Sequence, residues 1–98
     1  MSTKTEEIVE QLLATPKEYK VLLLNDDYST MDFVVDVLMT IFHKTHKQSE
    51  DIMLEVHKNG KGLCGIYSYE IAETKIAQVH KKARDKGYPL KAVIEESE

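Results

Sequence analysis

The feature that most constrains this chain is a short apolar run that ends in a polar triplet and leads directly into an apolar helix pattern. Residues 19–24, YKVLLL, have the composition of a central β-strand. Asn25, Asp26 and Asp27 follow, and residues 25–30 consist mainly of turn-forming residues. The segment therefore places three polar side chains at the mouth of an apolar region, either to form a turn or to receive a positively charged group.

The segment after this loop predicts an amphipathic helix. Ser29 or Thr30 can provide its N-cap, and Asp32 in the first turn suits the helix dipole. One broad apolar face repeats at helical spacing. It is formed by Phe33, Val34, Val37, Leu38, Ile41 and Phe42.

A second helix and a second strand are predicted in the middle of the chain. Ser49 is expected to cap the helix, since two acidic residues follow it in the first turn. Asn59 and Gly60 are expected to end the helix, because glycine is favoured just past a helix C-terminus. Residues 62–67 predict the strand, with Gly65 at a bend.

A third helix and a third strand complete the predicted fold. Ser68 is expected to cap the helix and Gly87 to stop it, and residues 90–95 predict the strand. The order β-α-α-β-α-β indicates an α+β fold with three helices packed on a small three-stranded sheet. Residues 1–17 are polar and predict a flexible N-terminal extension to a core domain of residues 18–98.

Composition narrows the classes of function. The chain has 98 residues and a formal net charge of −4, so it is a poor candidate for binding nucleic acid. Its one cysteine, Cys64, is expected to lie in the core, and it forms no disulfide framework, which fits a reducing compartment. No apolar run indicates a signal sequence or a membrane span. We therefore expect a cytoplasmic protein that binds neither nucleic acid nor membrane.

Polar side chains offer several candidate sites, and spacing alone leaves their roles open. The Asn-Asp-Asp triplet can be a turn whose side chains bond the local backbone. His57 follows Met53 by four residues and so shares its helical face, but it can equally be a helix-end histidine. His43 and His46 have a spacing that can bind a metal, although no cysteine lies near them. An enzyme would need Asp26 and His57 as an acid/base pair.

Three motifs in a fixed order resemble the ClpS family, whose members are adaptors that hand substrates to an ATP-driven Clp protease. They are YKVLLLNDDYSTMDFVVDVL at residues 19–38, IMLEVHKNGKGLCGIYS at residues 52–68 and EIAETKIAQVHKKARDKGYPL at residues 70–90. The Asn-Asp-Asp triplet alone would be a weak signal, but the ordered set is specific. Together the motifs span residues 19–90, which is nearly everything outside the tails.

The resemblance implies recognition of a free protein N-terminus whose first residue is bulky and hydrophobic, namely Leu, Phe, Tyr or Trp. It implies that Asn25, Asp26 and His57 accept hydrogen bonds from the α-ammonium group of the substrate. An ammonium carries three donors, and an amide oxygen, a carboxylate and a neutral imidazole nitrogen are suitable acceptors. The resemblance also implies an apolar pocket for the first side chain, formed by Met31, Val34, Met53, Val56 and Leu90.

Further roles are implied by the same resemblance. Met31 is expected at the pocket entrance, where it disfavours side chains branched at Cβ. Ser29 is expected to position the peptide backbone. Glu70 and Lys75 are expected to dock on the N-terminal domain of the Clp AAA+ unfoldase, of the ClpA or ClpC type. Asp27 is expected to hold the loop rather than bind the ligand, because adjacent residues in an extended segment point to opposite sides.

The implied protein is a monomeric binding adaptor with no catalysis, cofactor or metal of its own. One alternative is a small metal-dependent or acid/base hydrolase that uses Asp26, Asp27 and His57. Another is a plain interaction domain similar to the C-terminal domain of a ribosomal stalk protein, which has a related element order. The chain also departs from the family, which usually has Thr-Pro where residues 29–30 are Ser-Thr, and so lacks a proline that fixes φ at the start of the helix.

Overall fold

The computed structural model describes residues 17–97, in which three strands and three helices follow one another in the predicted order. Their bounds are β1 (Glu18–Leu24), α1 (Met31–Thr40), α2 (His46–Asn59), β2 (Lys61–Tyr67), α3 (Tyr69–Lys86) and β3 (Lys91–Ser97). The α+β prediction is confirmed. The predicted N-terminal extension lies, apart from Lys17, outside the described residues.

The sheet has the strand order β2-β1-β3, and both pairings are antiparallel. The first strand is therefore central, as its apolar composition predicts. Val21 pairs with Gly65 and Leu22 pairs with Leu63. Cys64 is therefore an extra residue in β2 and forms a β-bulge. The bulge lies at the bend that Gly65 predicts.

The hydrophobic core lies between the sheet and the helices. Val21 and Leu23 of β1 are fully buried in one cluster with the apolar residues of the helices. All six residues of the predicted apolar face of α1 are buried. Burying a Val, Leu or Phe side chain stabilises a fold by about 1.5–3 kcal/mol, so this face fixes α1 on the sheet. The N-terminus of α1 is thereby held beside the end of β1.

The beginnings of the helices confirm the predicted N-cap of α1 and correct the other two. Ser68 occupies the N-cap position of α3, but its side chain makes no capping hydrogen bond. Thr30 caps α1, since its Oγ1 accepts a hydrogen bond from the backbone N–H of Phe33 at 3.1 Å. Ser49 does not cap α2, because the helix begins earlier, after Thr45. Thr45 and Gln48 form a reciprocal capping box, with bonds of 3.1 and 3.0 Å between each side chain and the other's backbone N–H. Ser49 is instead fully buried within the helix.

Two glycines determine how α2 leads into β2. Gly60 ends α2 with φ of 86°, a left-handed conformation that favours glycine, as the sequence predicts. Gly62 approaches α2 closely, since a Cβ atom there would lie 2.7 Å from Cγ2 of Val56 and 3.1 Å from the backbone oxygen of Ile52. The close approach packs the last two turns of α2 against β2.

Candidate functional site

A cavity of about 420 Å³ opens where β1 ends, between the loop of residues 25–30 and helices α1 and α2. We call it the main cavity. Its lining comes from the whole loop and from the facing sides of both helices. The residues are Asn25, Asp26, Asp27, Tyr28, Ser29, Thr30, Met31, Val34, Met53, Val56 and His57.

One backbone hydrogen bond brings the start of the loop to the end of α2. The N–H of Asn25 donates to the carbonyl of Gly60 at 2.9 Å. Gly60 directly follows α2, whose last turn carries His57. Asn25, Asp26 and His57, which we call the polar cluster, therefore line the same cavity although His57 follows Asp26 by more than thirty positions in the sequence.

Asp26 shapes the loop. Its Oδ1 accepts hydrogen bonds from the backbone N–H groups of Tyr28 at 2.8 Å and Ser29 at 2.6 Å, which is the geometry of an aspartate-closed turn. The expectation that Asp27 holds the loop is therefore wrong. The chain turns at Asp26 instead of continuing as a strand, so the alternation of side chains no longer applies. Asp27 is exposed and also lines the main cavity.

The second carboxylate oxygen of Asp26 has a different environment. Oδ2 is buried and has no hydrogen-bond partner within residues 17–97. Burial raises the pKa of the Asp26 carboxyl, but the hydrogen bonds from Ser29 and Tyr28 outweigh it and hold that pKa below its usual value. At neutral pH, Asp26 is thus a carboxylate with one oxygen used by the turn and one buried oxygen that lacks a hydrogen-bond partner in the described residues.

Ser29 presents a second polar atom of this kind. Its Oγ is also buried without a hydrogen-bond partner in the described part of the chain. A hydroxyl can both donate and accept, so Ser29 can bond a peptide N–H or C=O. Buried polar atoms are usually paired, and these two belong to residues that line the main cavity, where the Ser29 side chain also helps to lower the pKa of Asp26.

The apolar part of the cavity comes from both helices. Val34 of α1 and Val56 of α2 are buried, at 6% and 3% exposed, and Met53 is partly buried. Met31, the first residue of α1, is 49% exposed. We call these four residues the apolar wall. The structure thus brings together four of the five residues predicted to form the pocket.

Leu90, the fifth residue, does not line the main cavity. It is 3% exposed and belongs to the hydrophobic core cluster. Leu90 lies between α3 and β3, where it packs into the interior of the domain. A sequence match alone does not distinguish a side chain that lines a pocket from one that supports it from within.

Sequence reasoning missed Tyr28 and Thr30, which also line the main cavity. Tyr28 is 76% exposed and is the most exposed large hydrophobic side chain of the described residues. A single aromatic residue within a loop of turn-forming residues is not part of an apolar pattern, and this could have identified Tyr28 as an exposed side chain. Its exposure at the cavity makes it available to contact a ligand.

Glu70 and Lys75 lie on α3, outside the main cavity. Glu70 is exposed in the first turn. The ammonium of Lys75 donates to the backbone carbonyl of Ile41 at 2.7 Å and lies 5.9 Å from the ring centroid of Tyr67. Lys75 thus satisfies a carbonyl at the C-terminal end of α1, which is a role within the fold. Its docking role stays a prediction.

A metal-dependent enzyme would need several metal-ligating side chains grouped in space. Within residues 17–97, no group of three or more His, Cys, Asp or Glu side chains is arranged to hold a metal ion. His46, from the candidate pair with His43, lies with Nδ1 2.9 Å from Oε1 of Glu50. None of the helices in the described region is both long and apolar enough to cross a membrane.

Comparison with known protein families and curated sequences gives a consistent match. The family model for the ATP-dependent Clp protease adaptor protein ClpS matches residues 14–93. The chain is 56% identical over 93 residues to the ATP-dependent Clp protease adapter protein ClpS of Wolinella succinogenes, covering 95% of this chain and 91% of that protein. It is 59% identical over 80 residues to the Acetivibrio thermocellus protein of the same name, covering 82% and 81%.

A solved structure agrees with the sequence matches. The structure of Agrobacterium tumefaciens ClpS2 bound to L-phenylalaninamide superposes with a TM-score of 0.82 at 34% sequence identity. The match covers 85% of this chain and 100% of that one. With the family model and the curated relatives, this shows that the chain belongs to the ClpS family of ATP-dependent Clp protease adaptor proteins.

Proposed function

We propose that this chain binds proteins with a free N-terminus and a bulky hydrophobic first residue (Leu, Phe, Tyr or Trp) and delivers them to the AAA+ unfoldase of the Clp protease. The observation that carries the proposal is the main cavity, in which the polar cluster adjoins the apolar wall. The Agrobacterium tumefaciens relative was solved with L-phenylalaninamide, a compound with a free amino group and a bulky aromatic side chain. Both halves of that ligand have a counterpart in the main cavity.

The polar cluster suits an ammonium group. An α-amino group has a reference pKa of about 7.7–8.0, so at neutral pH it is mostly a cation with three N–H donors. Asn25, Asp26 and His57 provide an amide oxygen, a carboxylate oxygen and a ring nitrogen as acceptors. Each charge-assisted hydrogen bond contributes roughly 1.5–3 kcal/mol net. The unpaired Oδ2 of Asp26 is available for one of these bonds without loss of the turn.

The apolar wall suits the first side chain of the substrate. Burying a Leu or Phe side chain contributes about 1.5–3 kcal/mol. Association itself costs an estimated 4–15 kcal/mol, so neither the ammonium nor the side chain alone is enough for tight binding. Both must be present, and this requirement is what restricts binding to particular N-termini. Met31 at the half-exposed edge of the wall would clash with a side chain branched at Cβ.

Two further roles belong to the proposal. The unpaired hydroxyl of Ser29 would bond the backbone of the bound peptide. Glu70, exposed on α3, would contact the N-terminal domain of a ClpA- or ClpC-type unfoldase, together with Lys75 of the same helix. The adaptor would act as a cytoplasmic monomer and catalyse nothing. A hydrolase that used Asp26 as its base would be inefficient, because a lowered pKa makes the carboxylate a weak proton acceptor.

The test is fluorescence polarisation with three labelled peptides that differ only at the first residue. One begins with free Leu, one with acetylated Leu and one with free Ser. Tight binding of the free Leu peptide alone is expected, since acetylation removes the charge and two donors while Ser lacks the apolar side chain. Equal binding of free and acetylated Leu would contradict recognition of the ammonium. Binding to none of the three would contradict the proposal as a whole.

Delivery needs a separate test, because binding and docking use different surfaces. Glu70→Ala should weaken capture of the purified adaptor by the isolated N-terminal domain of a ClpA- or ClpC-type unfoldase, while leaving peptide binding unchanged. Glu73→Ala, one turn further along the exposed part of α3, serves as the matched control for charge. Lys75→Ala is a poor choice, because it also removes the hydrogen bond to Ile41. Equal capture of Glu70→Ala and the unmodified chain would refute the docking role.

A further inference from the structure

The methionines of the described residues are concentrated in one place. Met31 and Met53 belong to the apolar wall of the main cavity. The same two residues and Met39 line an adjoining groove of about 400 Å³ between α1 and α2, which we call the methionine groove. The full sequence has four methionines, and the fourth is Met1. Every methionine within residues 17–97 therefore lies at the main cavity or immediately beside it.

These methionines differ in accessibility. Met31 is 49% exposed and Met39 is 38% exposed, whereas Met53 is partly buried. The single cysteine does not compete for oxidants, because Cys64 is fully buried and burial raises the pKa of its thiol to about 12. Oxidation follows exposure and, for cysteine, thiolate character. An oxidant that meets this domain thus encounters the thioether sulfur of Met31 before a reactive thiol.

We propose that Met31 is a reversible oxidation site, and that its conversion to the sulfoxide by a hydroperoxide switches off binding of hydrophobic N-termini. The inference rests on the proposed function of the main cavity. The sulfur lone pair attacks the terminal oxygen of the hydroperoxide, an S–O bond forms and the O–O bond breaks. The proton of the attacked oxygen passes to the departing oxygen, which leaves as water or an alcohol. Sulfur is oxidised by two electrons and the peroxide is reduced by two.

The position of Met31 determines the effect of that oxygen atom. Methionine sulfoxide is polar where the thioether is apolar, so it disrupts surfaces that depend on methionine. A bound side chain would have to desolvate the sulfoxide oxygen at the edge of the apolar wall, where Val34, Met53 and Val56 offer no hydrogen-bond donor. We expect the affinity for a peptide with free N-terminal Leu to fall by about tenfold or more.

Met39 provides an internal comparison. It lines the methionine groove but not the main cavity, and it is nearly as exposed as Met31. Its oxidation should proceed at a similar rate and leave peptide binding unchanged. A bound peptide should shield Met31 but not Met39, so saturating free Leu peptide should slow oxidation of Met31 alone. Acetylated Leu peptide should shield neither residue.

The experiment treats the full chain with hydrogen peroxide, measures each methionine sulfoxide by mass spectrometry of peptides, and measures binding of the free Leu peptide by fluorescence polarisation. Met31→Leu and Met39→Leu are treated in the same way, and each affinity is compared with that of the same variant before oxidation. The unmodified chain and Met39→Leu should lose about tenfold or more, and Met31→Leu should keep its own starting affinity. Methionine sulfoxide reductases should restore the unmodified chain.

Three results would overturn the inference. They are full affinity after complete oxidation of Met31, an equal loss in Met31→Leu, and a loss that accompanies unfolding seen by circular dichroism. The shielding measurement tests the inference without any variant. Equal oxidation rates of Met31 with and without free Leu peptide would place Met31 outside the binding surface. If the untreated chain fails to bind free Leu peptide, the proposed function itself fails, which is a different outcome from binding that resists oxidation.

Discussion

Asp26→Asn separates the two tasks that the structure gives to one carboxylate. Oδ1 closes the turn by accepting from the N–H groups of Tyr28 and Ser29, and Oδ2 is left without a partner. In the variant, the amide oxygen must take the place of Oδ1, because the two N–H groups of the loop need an acceptor. The amide NH₂ is then placed where Oδ2 was. The turn is kept, but an acceptor of the polar cluster becomes a donor.

The magnitude follows from the bond that is lost. A charge-assisted hydrogen bond contributes roughly 1.5–3 kcal/mol, so Asp26→Asn should weaken binding of a free Leu peptide by about 10- to 150-fold. The melting temperature should change little. Asp26→Ala should lose the same binding energy together with two hydrogen bonds of the turn, each contributing roughly 0.5–1.5 kcal/mol to stability. Its melting temperature should therefore fall by several degrees, since about 1 kcal/mol shifts a domain of this size by ~4–8 °C.

The assay is fluorescence polarisation at pH 7 with free and acetylated Leu peptides, paired with thermal unfolding of each variant. Asp27→Asn is the matched control, because it removes the same charge from the adjacent, exposed residue, which makes no hydrogen bond with the turn. We expect Asp27→Asn to change affinity only slightly. If Asp26→Asn binds the free Leu peptide as tightly as the unmodified chain, Asp26 does not contact the ammonium and the assignment of the polar cluster is wrong.

Three other predictions test the surroundings of the site. Met31→Ala should widen the pocket entrance and raise the affinity for peptides that begin with Ile or Val by about fivefold relative to Leu, or roughly 1 kcal/mol. Competition binding measures this ratio of affinities, and an unchanged ratio would refute the role of Met31 at the entrance. Cys64 should resist iodoacetamide at pH 8 until the chain is unfolded. Because burial raises the pKa of its thiol to about 12, its contribution to stability should be complete below the unfolded pKa of about 8.5 and should decline as the pH rises above that value. Urea unfolding at pH 7 and pH 10 can measure this decline. Gly62→Ala should destabilise the fold by about 1–3 kcal/mol, because its Cβ would lie 2.7 Å from Cγ2 of Val56, and unchanged urea unfolding would contradict this packing.

Local patterns in the sequence predicted most of the fold. The 3.6-residue period of α1 was readable because all six apolar residues of one face enter the same core. The start of α2 could not be recognised in the same way, since its first turn is polar and, apart from Ser49, exposed, and no apolar period marks it. Ser49 with its following acids resembled a cap, but the helix is capped four residues earlier, by the reciprocal hydrogen bonds of Thr45 and Gln48. The sequence alone does not decide between two such candidate caps, because the choice depends on the tertiary contacts that bury Ser49.

Less of the candidate site could be predicted from local sequence patterns. Asn25, Asp26, Ser29 and Met31 are close in sequence, so the loop itself brings them together. The contribution of α2 depends on tertiary packing, and the family resemblance rather than helical spacing suggested that His57 belongs there. The assignment of loop support to Asp27 failed because the alternation of side chains holds only while the backbone stays extended, and the chain already turns at Asp26.

The polar triplet can therefore both form a turn and receive a positively charged group. The same carboxylate that closes the turn has a second oxygen that is buried and unpaired, and an unpaired buried acceptor is unfavourable until a donor arrives. A free Leu peptide should consequently stabilise the native chain, by about 2.7 kcal/mol at a concentration 100 times its Kd. Thermal unfolding should show this increase with the free peptide and not with its acetylated form. If both peptides raise the melting temperature equally, the unpaired oxygen of Asp26 is not what the ligand satisfies, and the polar triplet is a turn alone.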